Sequence, residues 1–171
     1  MWSWVPGDPV ILPGSLGEWD SGCLFAGHGL VAAPGERVAQ VYVGYPVPHK
    51  YPREQLLGQV AVGSWPTGRL VALEAPERGQ FTSAKMVFAG RYLTLNVETK
   101  RAGEVLVEVA DKDGQPLPGR SFADAVPVTA NDIRAPVKWK DGSDLGQCAG
   151  QPVLLRFRLR AAKLYSFQFG E

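Results

Sequence analysis

Residues 91–98, Arg91-Tyr92-Leu93-Thr94-Leu95-Asn96-Val97-Glu98, alternate apolar and polar side chains with a period of two. Because successive side chains of a β-strand point to opposite faces, the pattern predicts a strand whose leucines and valine face a core. Residues 104–109 repeat the pattern, with valine at every second position. Residues 99–103, between them, have the length and the glycine of a hairpin loop, so the two strands are predicted to pair as a hairpin.

The C-terminal residues 153–169 show the same alternation. In residues 153–160, apolar side chains alternate with Leu154 and three arginines, which predicts a strand with one core face and one basic face. A bend at Ala161-Ala162 precedes a final strand with an aromatic residue at positions 165, 167 and 169. Shorter strands are predicted at 69–73, 85–88, 126–129 and 137–140. Seven or eight short strands and no sustained helical period predict an all-β fold, a β-sandwich of the jelly-roll, concanavalin-like kind.

The first sixty residues have a different composition from the rest of the chain. Sixteen of them are Gly or Pro, and only residues 37–45 have a firm strand pattern. We therefore divide the chain into an irregular β extension, residues 1–60, and a β-sandwich, residues 61–171. The extension cannot easily bury a core of its own, and Trp2 and Trp4 would form an exposed apolar pair. Self-association into a homo-oligomer through this segment is the resulting hypothesis.

The balance of charged residues limits the classes of partner that the chain is expected to bind. Its 171 residues contain 18 Lys and Arg against 17 Asp and Glu, a net charge of +1, so no overall field draws it to nucleic acid or to a membrane surface. Its apolar runs fall short of the roughly 20 residues needed to span a bilayer. No secretory signal pattern is present in this sequence, and the compartment is left open. Cys23 and Cys148 form either one long-range disulfide or, the favoured alternative, two buried free thiols.

Seven stretches of the predicted sandwich resemble the C-terminal β-sandwich that follows the five-bladed β-propeller in glycoside hydrolase family 32. They are GRLVALEA at 68–75, FAGRYLTLN at 88–96, GEVLVEV at 103–109, GQPLPG at 114–119, WKDGSDL at 139–145, LRFRL at 155–159 and LYSF at 164–167. Three further stretches are similar to the last propeller blade of that family: GEWDSG at 17–22, VYVGY at 41–45 and PHKYPR at 48–53. The resemblance thus covers most of the chain.

This resemblance implies the tail of a larger glycosidase of a commonly secreted kind. The catalytic carboxylates of the family lie in motifs of the Asn-Asp-Pro-Asn, Arg-Asp-Pro and Glu-Cys types, and this sequence contains none of the three. No catalytic residue is therefore carried over, and whether the chain is an enzyme stays open. The implied function is a non-catalytic carbohydrate-binding or accessory module, with a polysaccharide as partner.

Two sets of residues are candidates for binding a sugar, which needs a flat aromatic ring with planar polar groups beside it. The first set lies in the loop-rich N-terminal part, and its alternative role is simple packing: Trp19, Asp20, His49, Tyr51 and Arg53. The second set lies on the polar face of the sandwich, and its alternative role is a solvated outer surface: Asn96, Glu98, Arg156 and Arg158.

The competing hypothesis is a short glycoside hydrolase. On a strand, Glu18 and Asp20 would share one face about 7 Å apart, a spacing that permits acid and base roles. A site shared between two chains is the other form of this hypothesis, and a turn at Ser21-Gly22 capped by Asp20 is its structural alternative. No cofactor is expected, because the two histidines lie in no ligand cluster. Loop oxygens of Asp111 and Asp113 remain compatible with a structural calcium ion.

Overall fold

The computed structural model describes residues 7–50 and 57–171, and in this part of the chain the protein is all-β. Eleven strands and one short 3-10 turn make up the regular structure of these described residues, and every paired strand is antiparallel to its neighbours. These described residues contain no helix with the length and hydropathy of a membrane span. The all-β, sandwich-like prediction is confirmed.

The chain divides into two compact units, Met1–Leu70 and Val71–Glu171. The sequence placed this division at residue 60, which is too early because the strand at residues 59–66 pairs with the predicted strand at residues 37–45. A hydrogen-bonded ladder belongs to one unit, so residues 59–66 extend the N-terminal part.

The N-terminal unit contains a four-stranded sheet. Its strands are β1 (Cys23–Ala26), β2 (Val31–Ala33), β3 (Arg37–Tyr45) and β4 (Gln59–Pro66). The strand predicted at residues 37–45 is therefore confirmed with the same bounds. Strand β4 pairs along one edge of β3, and β1 and β2 pair with the two halves of its other edge. The predicted irregular extension thus has a regular sheet at its centre.

The C-terminal unit contains seven strands in its described residues: β5 (Leu73–Thr82), β6 (Met86–Val87), β7 (Tyr92–Asp111), β8 (Ala125–Val126), β9 (Asn131–Pro136), β10 (Lys138–Trp139) and β11 (Pro152–Gly170). Five of them form a sheet in the order β5-β11-β7-β9, with β6 also paired to β11. A separate two-stranded ladder joins β8 and β10. A 3-10 turn, Gly146–Cys148, precedes β11.

The hairpin predicted at residues 99–103 is wrong. Strand β11 pairs with both halves of β7 in one antiparallel run, so residues 92–111 continue in a single direction. The register jumps there from Arg160↔Glu104 to Ala162↔Thr99, and Ala102 and Ala161 both adopt positive φ. The glycine of the supposed loop serves a bulge, which bends and twists a strand without reversing it.

The core lies on the inner face of the five-stranded sheet, as the alternation predicts. The buried apolar side chains of β7 and β11 include those at every second position: Leu93, Leu95, Val97, Val105, Val107, Val109, Val153, Leu155, Phe157 and Leu159. Ala110, Ala162 and Leu164 of the same two strands are buried as well. The smaller ladder and the loops beside it contribute Val128, Val137, Trp139 and Leu145 to the same cluster. Trp139 is buried without an unpaired polar atom, because its Nε1–H donates to the carbonyl of Val107 at 3.0 Å.

Candidate functional site

Trp19 of the first candidate set packs on the N-terminal sheet. Its ring stacks on Tyr42 of β3, with centroids 6.0 Å apart and an interplanar angle of 26°. The ring and Asp20 both lie against Gly44, where a side chain would meet Asp20 Cβ at 2.4 Å and a Trp19 ring carbon at 2.6 Å. Gly44 therefore makes room for the Trp19-Asp20 pair, and Asp20 is buried.

Glu18 and Asp20, the carboxylates of the glycosidase hypothesis, converge on Gly14. A Cβ atom at Gly14 would lie 2.3 Å from Asp20 Oδ1 and 2.5 Å from Glu18 Oε2. The two oxygens are therefore at most about 5 Å apart, whereas retaining glycosidases hold their two carboxyl groups about 5–5.5 Å apart. Gly14 lies against both carboxylates. Glu18 Oε2 also accepts a hydrogen bond from the amide of Ser15 at 2.6 Å.

His49 lies on the opposite face of the same sheet from Trp19. Its ring packs edge-on against Phe25, with ring centroids 5.3 Å apart, and the Phe25 ring packs in turn against Tyr45. Phe25 is the register partner of Val43, whereas Tyr42 pairs with Ala26, and adjacent strand positions point to opposite faces. The structure thus does not bring Trp19 and His49 together. Tyr51 and Arg53, like Trp2 and Trp4, lie outside the described residues.

Two residues of the second candidate set, Arg156 and Arg158, line a groove on the outer face of the sandwich. One cavity of about 430 Å³ is lined by Arg78, Gln80, Glu104, Leu106, Arg158 and Arg160. An adjoining cavity of about 530 Å³ shares Gln80 and Arg158 and adds Thr82, Glu108, Pro116, Phe122 and Arg156. We call this surface the arginine groove.

The register of three neighbouring strands places the groove residues in rows. On β11, Arg158 lies opposite Gln80 of β5 and Leu106 of β7. Arg160 lies opposite Arg78 and Glu104 in the next row. The basic face predicted from the alternation of residues 153–160 is therefore the floor of this groove.

Two of the four arginines in the groove are held by glutamates. Arg156 Nη1 donates to Glu108 Oε1 at 2.9 Å, and its Nη2 donates to the carbonyl of Gly114 at 2.8 Å. Arg160 Nη2 lies 3.1 Å from Glu104 Oε1. Glu108 is buried, and its other oxygen accepts the amide of Phe122 at 3.1 Å, so this carboxylate ties the Phe122 loop to the sheet.

The other two arginines, Arg158 and Arg78, make no ion pair with any residue that the structure describes. The guanidinium carbon of Arg158 lies 4.0 Å from the ring centroid of Phe122, within the range of a cation–π contact. Both side chains are exposed. Each guanidinium therefore keeps its fork of donors available to a ligand.

Asn96 and Glu98 do not join the arginine groove. Asn96 is buried, and Glu98 Oε2 accepts a hydrogen bond from the hydroxyl of Tyr165 at 3.1 Å. Their register partners on β11 are Ser166 and Lys163, beyond the bulge at Ala161. The second candidate set is thus divided, with Arg156 and Arg158 in the groove and the other two outside it.

Within residues 7–50 and 57–171, no group of three or more metal-ligating side chains is present. Asp111 Oδ1 instead accepts the amides of Asp113 and Gln115, both at 2.9 Å, and closes a turn. The hydrogen bond from Gln115, foremost, lowers the pKa of Asp111. Cys23 and Cys148 are free thiols, both half-buried, and burial raises the pKa of Cys148.

No family model, curated protein or solved structure matches this chain. The groove is therefore interpreted from its own geometry. Sequence reasoning found Arg156 and Arg158 but missed Arg78, Leu106 and Phe122. Arg78 and Leu106 reach the groove only through strand register, and Phe122 comes from a loop with no periodic pattern.

Proposed function

We propose that the C-terminal unit is a non-catalytic carbohydrate-binding module and that the arginine groove is its binding surface. The observation that carries the proposal is the open groove across β5, β11 and β7, in which Phe122 and Leu106 lie among arginine, glutamate and glutamine side chains. Sugar hydroxyls need planar hydrogen-bonding groups, and the apolar faces of a pyranose need apolar surface. The groove offers both within one continuous depression.

The backbone and side-chain hydrogen bonds of the groove indicate that its binding surface is formed before a ligand arrives. Its floor consists of three hydrogen-bonded strands, and the Phe122 loop is attached to that floor through Glu108. Ligand sites held on strands lose little conformational entropy on binding, which favours affinity from a small contact area.

The proposal is tested by affinity electrophoresis and calorimetry with the full 171-residue chain. The panel contains fructan, arabinan, xylan and β-glucan together with pectic and alginic polysaccharides. We expect at least one polysaccharide to retard the protein, with a dissociation constant in the micromolar to millimolar range that is typical of small contact areas.

Two substitutions locate the binding surface. Phe122→Ala removes the aromatic ring of the groove and is expected to reduce retardation strongly. Gln168→Ala, an exposed position on the same strand β11 but outside the groove, is expected to leave it unchanged. Circular dichroism confirms that both variants fold. No retardation by any polysaccharide, or equal retardation of wild type and Phe122→Ala, would overturn the proposal.

A further inference from the structure

We infer that the ligand of the arginine groove is an acidic saccharide, a glycan that carries uronate carboxylates, and this inference rests on the proposed function. It depends on a charge imbalance inside the groove that the composition of the whole chain conceals. The chain as a whole has a net charge of +1. The groove alone is lined by four arginines and two glutamates.

The two glutamates are already engaged. Glu108 is bonded to Arg156, and Glu104 to Arg160. The remaining positive charge belongs to Arg158 and Arg78, which have no acidic partner in the described part of the chain. The imbalance is therefore located on two identified guanidinium groups.

These two guanidinium groups are neighbours on one surface. Arg158 pairs in register with Gln80, two positions along β5 from Arg78. Diagonal neighbours of this kind have Cα atoms about 7–8 Å apart, within reach of two long side chains that converge on one ligand. Phe122 restrains the guanidinium of Arg158 by stacking on it, so less entropy is lost when that group binds.

A planar carboxylate fits this arrangement. Arginine binds a carboxylate, like a phosphate, through two parallel hydrogen bonds, so the choice between these anions depends on how densely the ligand is charged. A nucleic acid needs many basic contacts along its backbone, whereas only Arg158 and Arg78 of the groove lack an acidic partner in the described part of the chain. A sugar chain places its carboxylates singly between neutral hydroxyls, which suits a groove where arginine, glutamate and glutamine alternate.

The test compares pairs of polysaccharides that differ in charge but share a backbone. Polygalacturonate is measured against its methyl ester, and glucuronoxylan against unsubstituted xylan, by calorimetry at low and at physiological salt. We expect each acidic member to bind about tenfold more tightly than its neutral counterpart, the effect of one charge-assisted pair. The difference is expected to shrink as salt is raised.

Charge-matched variants assign the effect to its residues. Arg158→Gln and Arg78→Gln are each expected to lower the preference for the acidic member, whereas Arg101→Gln, at an exposed β7 position outside the groove, is expected to retain it. Equal binding of neutral and acidic members would overturn the acidic preference and leave the carbohydrate proposal standing. Binding of no polysaccharide would overturn both. Duplex DNA that binds as tightly as polygalacturonate and depends on the same arginines would overturn the acidic-saccharide inference in favour of general anion binding.

Discussion

Glu108→Ala is the substitution with the most informative consequence for the stability of the C-terminal unit. The Glu108 side chain is only 7% exposed and accepts hydrogen bonds from Arg156 and from the amide of Phe122. Both hydrogen bonds end on the carboxylate, and a hydrogen bond to a charged group contributes about 1.5–3 kcal/mol. Because the Arg156 side chain is 33% exposed, water replaces part of the lost interaction. We expect the free energy of unfolding to fall by about 2–3 kcal/mol, below the 3–5 kcal/mol of a fully buried pair.

Glu104→Ala is the matched comparison. Glu104 pairs with Arg160 on the same two strands, but the two side chains are 28% and 41% exposed. Exposed pairs contribute about 0–1 kcal/mol, so this variant is expected to lose less than 1 kcal/mol. The two variants therefore remove the same chemical group at different burial.

The assay is equilibrium unfolding in guanidinium chloride, followed by far-ultraviolet circular dichroism and by tryptophan fluorescence. Trp139 lies in the core of the C-terminal unit and reports its transition. Two units can unfold in separate transitions, so the comparison is made on the one that Trp139 reports. Equal losses in Glu108→Ala and Glu104→Ala would refute the reasoning, as would a loss below 1 kcal/mol in Glu108→Ala.

Other parts of the chain give three more predictions. Gly103→Ala places a Cβ 2.3 Å from the carbonyl oxygen of Ala161 and is expected to lower the free energy of unfolding by about 1–3 kcal/mol. Gly170→Ala, which has open space around it, is expected to leave that free energy unchanged, and thermal denaturation compares the two variants. Hydrogen bonds from Ser121 and Arg91 lower the pKa of Asp124 and Asp144, respectively, so their contribution to stability is present above about pH 4 and lost as pH falls through the folded-state pKa. Unfolding free energy measured from pH 7 to pH 2 should thus decline below about pH 4, and a flat profile would contradict this. One face of the N-terminal sheet exposes Val41, Val60 and Val62, so we expect the protein to self-associate at high concentration. The double variant Val60→Lys/Val62→Lys is expected to abolish this self-association. A strictly monomeric wild type in light scattering would contradict the prediction.

The sequence pattern was sufficient for the inner faces of β7 and β11, but it placed the strand predicted at residues 69–73 too early, because β5 spans Leu73–Thr82. Alternation alone placed the side chains of residues 93–97, 105–109 and 153–159 correctly, because burial of one sheet face leaves a period of two in any strand. It also identified the basic face of β11 that becomes the groove floor. These features are local, so no knowledge of distant partners was needed.

The pattern failed where long-range pairing decides the outcome. Residues 99–103 have the composition of a hairpin loop, but β11 pairs with the residues on both sides of them, which therefore form one strand. No local sequence signal distinguishes a turn from a bulge at this position. Trp19 and His49 seemed to belong together because both lie in the loop-rich part of the chain. Their placement on opposite faces follows from which residues of β1 and β3 pair, and that register is absent from the sequence pattern.

The central claim, that the arginine groove binds an acidic glycan, is tested most directly by NMR of the arginine side chains. Resonances of the Nε–H groups of Arg158 and Arg78 are followed while oligogalacturonate is added, with Arg91 and Arg120, which lie outside the groove, as internal references. Our account predicts saturable shifts of Arg158 and Arg78 and none of comparable size at the references. Equal shifts at all four arginines, or none at any, would contradict it.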